Sequence, residues 1–457
     1  MKPLKLTLLI AAVLAPVSPV FADEPNDSIS DLKAEISQIR ADYEQRIQQL
    51  EQRIAKAEVT TSEVREQVAT VNTSSTALPP TSKNSFNPAI SMVMNGQYNS
   101  YSESPNDYQL NGFSLQGEGG LAREGFSLGE SEITMSASID HLLFGQSTIA
   151  LHDDEGTTEV GIEEAFIETL GLSNGLSVRA GRFYSPIGYL NEKHIHAWNF
   201  ADAPLIYRGL FGNQLTTDGV KLSYLLPTDL YMEIGSTVGS GDQHPGSGQH
   251  SGIGDWLVYA KTGGDIGNNH SWQAGISHWQ ANPEERAYTG GHGHGGGAGD
   301  DPVLFNGDTE ISNVSLLYKW APNGNFRQKN VTLLGEYFYL SEDGSLNNST
   351  ELANYNGKQY GGFIEGIYQF SPRWRTGVRY DWLGSDLHAS DNELLVDADL
   401  DFSGFHPQRY SMMLEWVPSE FSRIRAQLNH DQSSQNNDTQ LFLQYTISIG
   451  AHGAHSY

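Results

Sequence analysis

The sequence predicts an all-β chain: a transmembrane antiparallel β-barrel of about 16 strands, preceded by a short N-terminal coiled-coil helix. Three observations carry this expectation. From about Phe86 onward, apolar and polar residues alternate with period two. The turns that cut the alternation fall into two unequal classes, short ones and longer Gly- and Asp-rich ones. Tryptophans stand near strand ends (Trp256, Trp272, Trp320, Trp416), as the interfacial girdle of a barrel requires.

The N-terminus reads differently. Lys2 and Lys5 precede an apolar run from Leu6 to Leu14, and prolines 16 and 19 lead to Val20-Phe21-Ala22. A positive start, a short apolar stretch and a small-residue end describe a secretory signal peptide over 1–22. Its apolar run is too short and Pro-broken to span roughly 30 Å of hydrocarbon. Residues 23–69 are expected to form a periplasmic coiled coil. Apolar residues fall at Leu32, Ile36, Ile39 and Tyr43, then at Ile47, Leu50, Ile54 and Ala57. The phase shifts near Tyr43, and an Ile-rich seam leans towards trimers. A polar linker over 70–85, stiffened by Pro79-Pro80, leads to the barrel over 86–457.

Composition excludes several function classes. The formal net charge is −28, and loss of Lys2 and Lys5 with the leader makes it more negative still. Nucleic acid is not an expected partner, because phosphate binding needs basic surface. The chain has no Cys, so disulfides and thiol chemistry are absent. Beyond the leader no segment offers the roughly 20 apolar residues of a membrane helix, so a membrane location demands a closed barrel.

The strands read clearly. Trp374, Thr376, Val378, Tyr380 and Trp382 alternate with Arg373, Arg375, Gly377, Arg379 and Asp381. Ile424, Ala426 and Leu428 alternate with Arg423, Arg425 and Gln427, and Ile133, Met135 and Ala137 with Glu132, Thr134 and Ser136. In a barrel the apolar phase faces lipid and the polar phase lines water. Short turns are expected near His141, Asn174-Gly175, Pro227-Thr228, Asn268-Asn269, Asn323-Gly324, Pro372 and Pro418. With both chain ends on the same side, these imply eight hairpins, hence about 16 strands.

The longest polar interruption runs from Tyr184 to Asp218, between the fifth and sixth strands. A loop this long and this aromatic is expected to fold into the lumen and narrow it. The inward strand phase carries Arg179, Arg375, Arg379, Arg409, Arg423 and Arg425, and the loop offers Glu192 and Asp202. A basic wall facing an acidic loop would set a transverse field across a pore.

Histidines are the second signal. His194 and His196 lie in the third loop, and His292, His294, Asp300 and Asp301 in a Gly-rich fifth loop. Imidazole with carboxylate suits zinc, nickel or copper, so these six are candidate metal ligands. No cofactor is required, and zinc is a candidate ligand or cargo. Gly171 to Gly175 matches the nucleophile-elbow pattern, but it sits on a hairpin turn, and no catalytic set stands out. The chain is not expected to be an enzyme.

Three stretches carry a resemblance: AGRFYSPIGYLNEKHIHAWNFADAPLIYRGLFGNQL (180–215), GIEEAFIETLGL (161–172) and ISIGAHGAHSY (447–457). On these the sequence resembles outer-membrane porins of the phosphate-selective O/P type, and looks nearest to a branch labelled zinc-regulated outer-membrane protein or receptor. The resemblance implies a barrel in the Gram-negative outer membrane and a link to zinc. Taken together, these readings make the expected function passive uptake of small hydrophilic solutes or metal ions through a homotrimer embedded in outer-membrane lipid. The alternative is a barrel that binds metal at the surface or tethers the envelope without carrying solute.

Overall fold

The computed structural model describes residues 88–154, 157–248, 252–288, 301–401 and 404–450. The signal peptide, coiled coil and linker expected before residue 86 lie outside the described residues. So do His292, His294 and Asp300.

Among the described residues, eighteen strand segments make one closed antiparallel sheet. The first are β1 (Ala89–Tyr101), β2 (Gly125–Leu128), β3 (Ser131–Ser138), β4 (Leu143–Asp154) and β5 (Thr157–Thr169). Next come β6 (Leu176–Tyr184), β7 (Thr216–Leu225), β8 (Tyr231–Gly239) and β9 (Asp255–Ile266). The middle of the chain gives β10 (His270–Ala281), β11 (Arg286–Tyr288), β12 (Val303–Trp320) and β13 (Asn330–Asn347). The last are β14 (Leu352–Ser371), β15 (Trp374–Ala389), β16 (Gln408–Ser419), β17 (Ser422–Gln432) and β18 (Asp438–Gly450).

Each strand pairs with its sequence neighbour, and β1 closes the ring on β18 through registers such as Tyr98↔Leu443. Both β2 and β3 pair with β1, so they are one stave broken at Gly129-Glu130. Likewise β10 and β11 share β12. The barrel therefore has 16 staves, as the alternation predicts.

The reason these residues form a barrel is visible in their exposure. Val378 is 60% exposed while its neighbours Arg379 and Asp381 are 3% and 0% exposed. Ile364, Ile276 and Met412 are likewise exposed, whereas Glu336, Glu415 and Arg425 are buried. Apolar side chains outside and charged ones inside is the inverse of a soluble core, and lipid is the solvent that stabilises it. Stacked Trp374 and Trp416 mark one rim of the apolar band.

At one end the connections are short. Asp140 Oδ1 accepts from Leu142 N and Leu143 N in the β3–β4 turn. The left-handed backbone at Asn174-Gly175 and Asn323-Gly324 makes two more turns, where short polar or absent side chains tolerate positive φ. Pro418 proves to be inside β16; the turn is 420–421.

The other end departs from expectation. Loops L1 (102–124), L3 (185–215), L4 (240–254) and L7 (390–407) are long, but 348–351 and 433–437 are as short as the turns opposite. The strands themselves extend instead. β14 has 20 residues, a reach of about 65 Å at roughly 3.3 Å each, far beyond an apolar band about 25 Å tall. Beyond the band these ribbons enclose a satellite core of Phe305, Leu346, Tyr355 and Leu387 with Leu394 and Leu395 of a short helix, Glu393–Asp397.

Candidate functional site: the third loop inside the barrel

L3 enters the lumen and is tied at its base. Asn191 Nδ2 donates to the carbonyls of Ser185 and Leu215, both at 2.8 Å, and Leu215 N donates to Asn191 Oδ1. Beside the direct backbone bond from Ser185 N to the Leu215 carbonyl at 2.9 Å, this one side chain adds three more bonds across the two strand ends. Beside it the backbone turns at Gly188, φ +73°, where any Cβ would collide with Glu336 Oε2. That close approach lets Tyr189 N and Leu190 N donate to the Glu336 carboxylate at 3.0 and 2.9 Å. Tyr207 Oη donates to the same group.

The later half of L3 carries helix α1 (Leu205–Phe211), all of whose residues are buried. Gly209 packs against the Phe113 ring of L1, and left-handed Gly212 ends the helix. Tyr207 meets Phe338 and Phe363 of the wall edge-on. These rings, with Leu190, Trp198, Ile206 and Leu210, form an apolar cluster inside the barrel against Leu257, Trp279, Ile311 and Leu383. The sequence expectation that L3 would pack inside the barrel matches this arrangement.

The arginines stand where the strand phase predicts, but they do not face the loop across a gap. Asp202 accepts from Arg379 at 2.8 Å and from Arg409 at 2.7 Å, and Gln427 and Asn429 complete its shell. Arg379 and Arg409 are shared with Asp381, whose Oδ1 also receives Leu205 N. Burial pushes the Asp202 carboxyl up, but Arg409, Arg379 and Arg208 outweigh it and hold it well below the ordinary carboxylate range.

Arg425 bonds Glu415 and the Trp198 carbonyl, Arg375 bonds Glu415, and Arg423 donates to the His196 carbonyl. Arg179 sits apart on β6, paired with Glu168 and stacked over Phe166. Glu192, expected to oppose the arginines, turns to the opposite wall and pairs with Lys261 and Lys221. Burial raises its carboxyl, but the two lysines outweigh this and hold it low. The two loop acids therefore point to opposite walls; Arg379 and Arg409 are closely paired with Asp202 and Asp381, whereas Arg375, Arg423 and Arg425 gather around Glu415.

His194 and His196 bring a different set together. Their rings stack 5.4 Å apart on the β3–β5 wall. His194 Nδ1 lies 3.0 Å from Glu132 Oε2 and 3.4 Å from Glu163 Oε2, and its Nε2 lies 3.1 Å from Glu164 Oε2. His196 Nδ1 lies 2.6 Å from Glu132 Oε1. Glu130 stands beside Glu132 and Glu163, with carboxylate oxygens within 4.8 Å of one another. Burial pulls the His194 imidazole down, but the Glu132 charge and bonds to Glu132, Glu163 and Glu164 raise it well above its usual value.

A register slip explains the crowding. Thr148 pairs with Glu164 but Ile149 pairs with Ile162, so Glu163 is the extra residue of a β-bulge. Val160 and Ile162 face out before the slip, and Glu164 and Phe166 face in after it. Glu163 and Glu164 thereby both reach the lumen, which strict alternation forbids.

Of the other candidate ligands, Asp301 lies far from this cluster and accepts from Ser349 N and Oγ at 2.8 and 2.6 Å. The sequence reading does not pick out Glu130, Glu132, Glu163 and Glu164 as site residues, nor the lysines Lys221 and Lys261. Glu132 and Lys221 carry a detectable signal, since both sit in the inward phase of their strands.

No family model matches the chain. It is 27% identical over 406 residues to an uncharacterized protein of Aquifex aeolicus (strain VF5), covering 83% of this chain and 81% of that one. Among solved structures, the outer membrane channel DcaP of Acinetobacter baumannii has a TM-score of 0.48 at 10% identity, over 79% of this chain and 97% of that one. OmpT of Vibrio cholerae, an outer membrane protein with its loop L8 deleted, scores 0.46 at 9% identity, covering 79% and 99%. An anion-selective porin from Comamonas acidovorans scores 0.44 at 11%, covering 79% and 99%.

Proposed function

We propose that this chain is an outer-membrane channel of a Gram-negative cell, through which small hydrophilic solutes move down their gradients without bond chemistry. L3 sets the passage. The carrying observation is that L3 lies inside a closed barrel, bonded to the Arg379–Arg409 wall through Asp202 and to the Lys221–Lys261 wall through Glu192. A loop held on both sides fixes where a solute passes and which charges it meets. The homotrimer expected from the Ile-rich seam belongs to the same reading.

Zinc-class cations are the finer part of this proposal, supported by the His194–His196–Glu132 group inside the lumen. The resemblance to phosphate-selective porins is weakened by the same geometry. The inward arginines Arg379, Arg409 and Arg425 are bonded to carboxylates of the chain itself, so they offer an anion no bare ladder.

One observation favours the second reading, a barrel that binds or tethers without carrying solute. The apolar cluster of L3, L1 and the wall is buried within the barrel, and inward Asn99 and Thr148 are also wholly buried. Reversal potential across a salt gradient in planar bilayers separates the two. A stable, ion-selective current supports the channel, with zinc at micromolar concentration expected to reduce it. Absence of current from correctly folded barrels supports the second reading.

A further inference from the structure

We infer that the side chains joining L3 to the β3–β5 wall form a binding site for one divalent cation of the zinc, nickel or cobalt class, and that the bound ion pins the loop to the wall. The inference deepens the proposed channel reading, but the binding step stands whether or not the barrel conducts.

Charge is the first argument. Glu132, Glu163 and Glu164 converge on His194 and His196, with Glu130 beside them, so even with both rings protonated these three carboxylates outnumber the two cations. Glu132 is 2% exposed, and buried negative charge without an equal positive partner is costly. A divalent ion supplies the missing charge.

Unmet bonding capacity is the second. Glu130 Oε1, Glu132 Oε2, Glu163 Oε2 and His194 Nδ1 are buried and meet no well-aligned hydrogen-bond partner, although His194 Nδ1 lies 3.0 Å from Glu132 Oε2 and 3.4 Å from Glu163 Oε2. Donor atoms of Glu132, His194 and His196 lie within 4.8 Å of one another. Two ligands each about 2.1 Å from a tetrahedral ion stand about 3.4 Å apart, so small side-chain rotations bring the set onto one ion.

Orientation is the third. Glu164 Oε2 holds His194 Nε2 at 3.1 Å and is itself held by Gln146 Nε2 at 3.0 Å. A carboxylate on one ring nitrogen fixes the tautomer that leaves the other nitrogen, here Nδ1, aimed at Glu132 and Glu163. Glu164 is thus a positioning residue. Imidazole with carboxylate selects borderline transition metals over magnesium or calcium, which prefer all-oxygen shells.

The test uses the full chain refolded in detergent, with His292→Ala and His294→Ala to remove the fifth-loop histidines. Calorimetry with Zn²⁺ alone is expected to show one ion per chain at micromolar affinity or tighter. His194→Ala and Glu132→Gln are expected to weaken it by more than roughly a hundredfold, and Glu164→Gln by roughly 10–100-fold. Hydrogen exchange of peptides covering 191–198 is expected to slow on adding zinc to the parent. X-ray absorption on the unmutated site is expected to show two imidazoles at zinc, which keeps the test decisive if a variant misfolds. Absence of binding, binding indifferent to His194 and Glu132, a shell without imidazole, or unchanged exchange on saturation would each overturn the inference. A barrel that binds zinc in this way yet carries no current would sink only the channel reading.

Discussion

Asp202 of L3 and Arg409 of the barrel wall are joined at 2.7 Å with both side chains almost wholly buried, and Arg379 binds the second Asp202 oxygen at 2.8 Å. Two guanidinium groups on one carboxylate are the firmest tie between the loop and the barrel, because neither partner can recover water if the other leaves.

Asp202→Asn should therefore free the loop without unfolding the barrel. Removing one partner of a buried pair costs about 3–5 kcal/mol. The expected readout is faster hydrogen exchange across 185–215 with unchanged heat-resistant barrel migration on gels. Unchanged exchange would show that the apolar contacts of α1 hold the loop alone.

Acid should act through the same group. The folded Asp202 carboxyl lies below its unfolded value of about 3.9, so its contribution is complete above that pH and fades only as pH falls through the folded value. Pepsin at about pH 4, close to that unfolded value, is expected to spare L3 in the native chain and to cut it in the Asp202→Asn chain. Equal cleavage of both would contradict the assignment.

Glycine at 188 should be irreplaceable. Its φ of +73° and the Glu336 carboxylate beside it leave no room for a methyl group. Gly188→Ala is expected to destabilise the seat of L3 by about 1–3 kcal/mol, read as lower exchange protection at Tyr189 and Leu190. Glu336→Ala should produce the same local loss by removing the acceptor of those two amides.

The lysine wall should bear on ion preference. Lys221→Gln with Lys261→Gln leaves Glu192 without its two cationic partners, and the reversal potential is expected to move towards cations. Glu192→Gln should move it the other way. Identical reversal potentials in all three chains would place the ion path elsewhere.

Much of the barrel is legible in the sequence because lipid imposes a strict period. Val378 outside and Arg379 inside follow from alternation alone, as do the turns at Asn174-Gly175 and Asn323-Gly324. The entry of L3 into the lumen follows from its length and aromatic content. Its partners do not, because Asp202 and Arg409 are far apart in sequence and pairing depends on the path the loop takes across the barrel. The Glu163-Glu164 pair is hidden for a different reason: a bulge breaks the period on which the reading depends. The lengths of β13 and β14 escape a sequence reading because polar residues on ribbons beyond the membrane look like loop.

The measurement that bears most directly on the central claim is single-channel conductance in planar bilayers, comparing the full chain with a variant in which residues 193–213 are replaced by a short Gly-Ser bridge. If L3 sets the passage, the shortened chain should conduct several-fold better and lose most of its ion selectivity. Equal conductance in the two chains, or none in either from folded barrels, would contradict it.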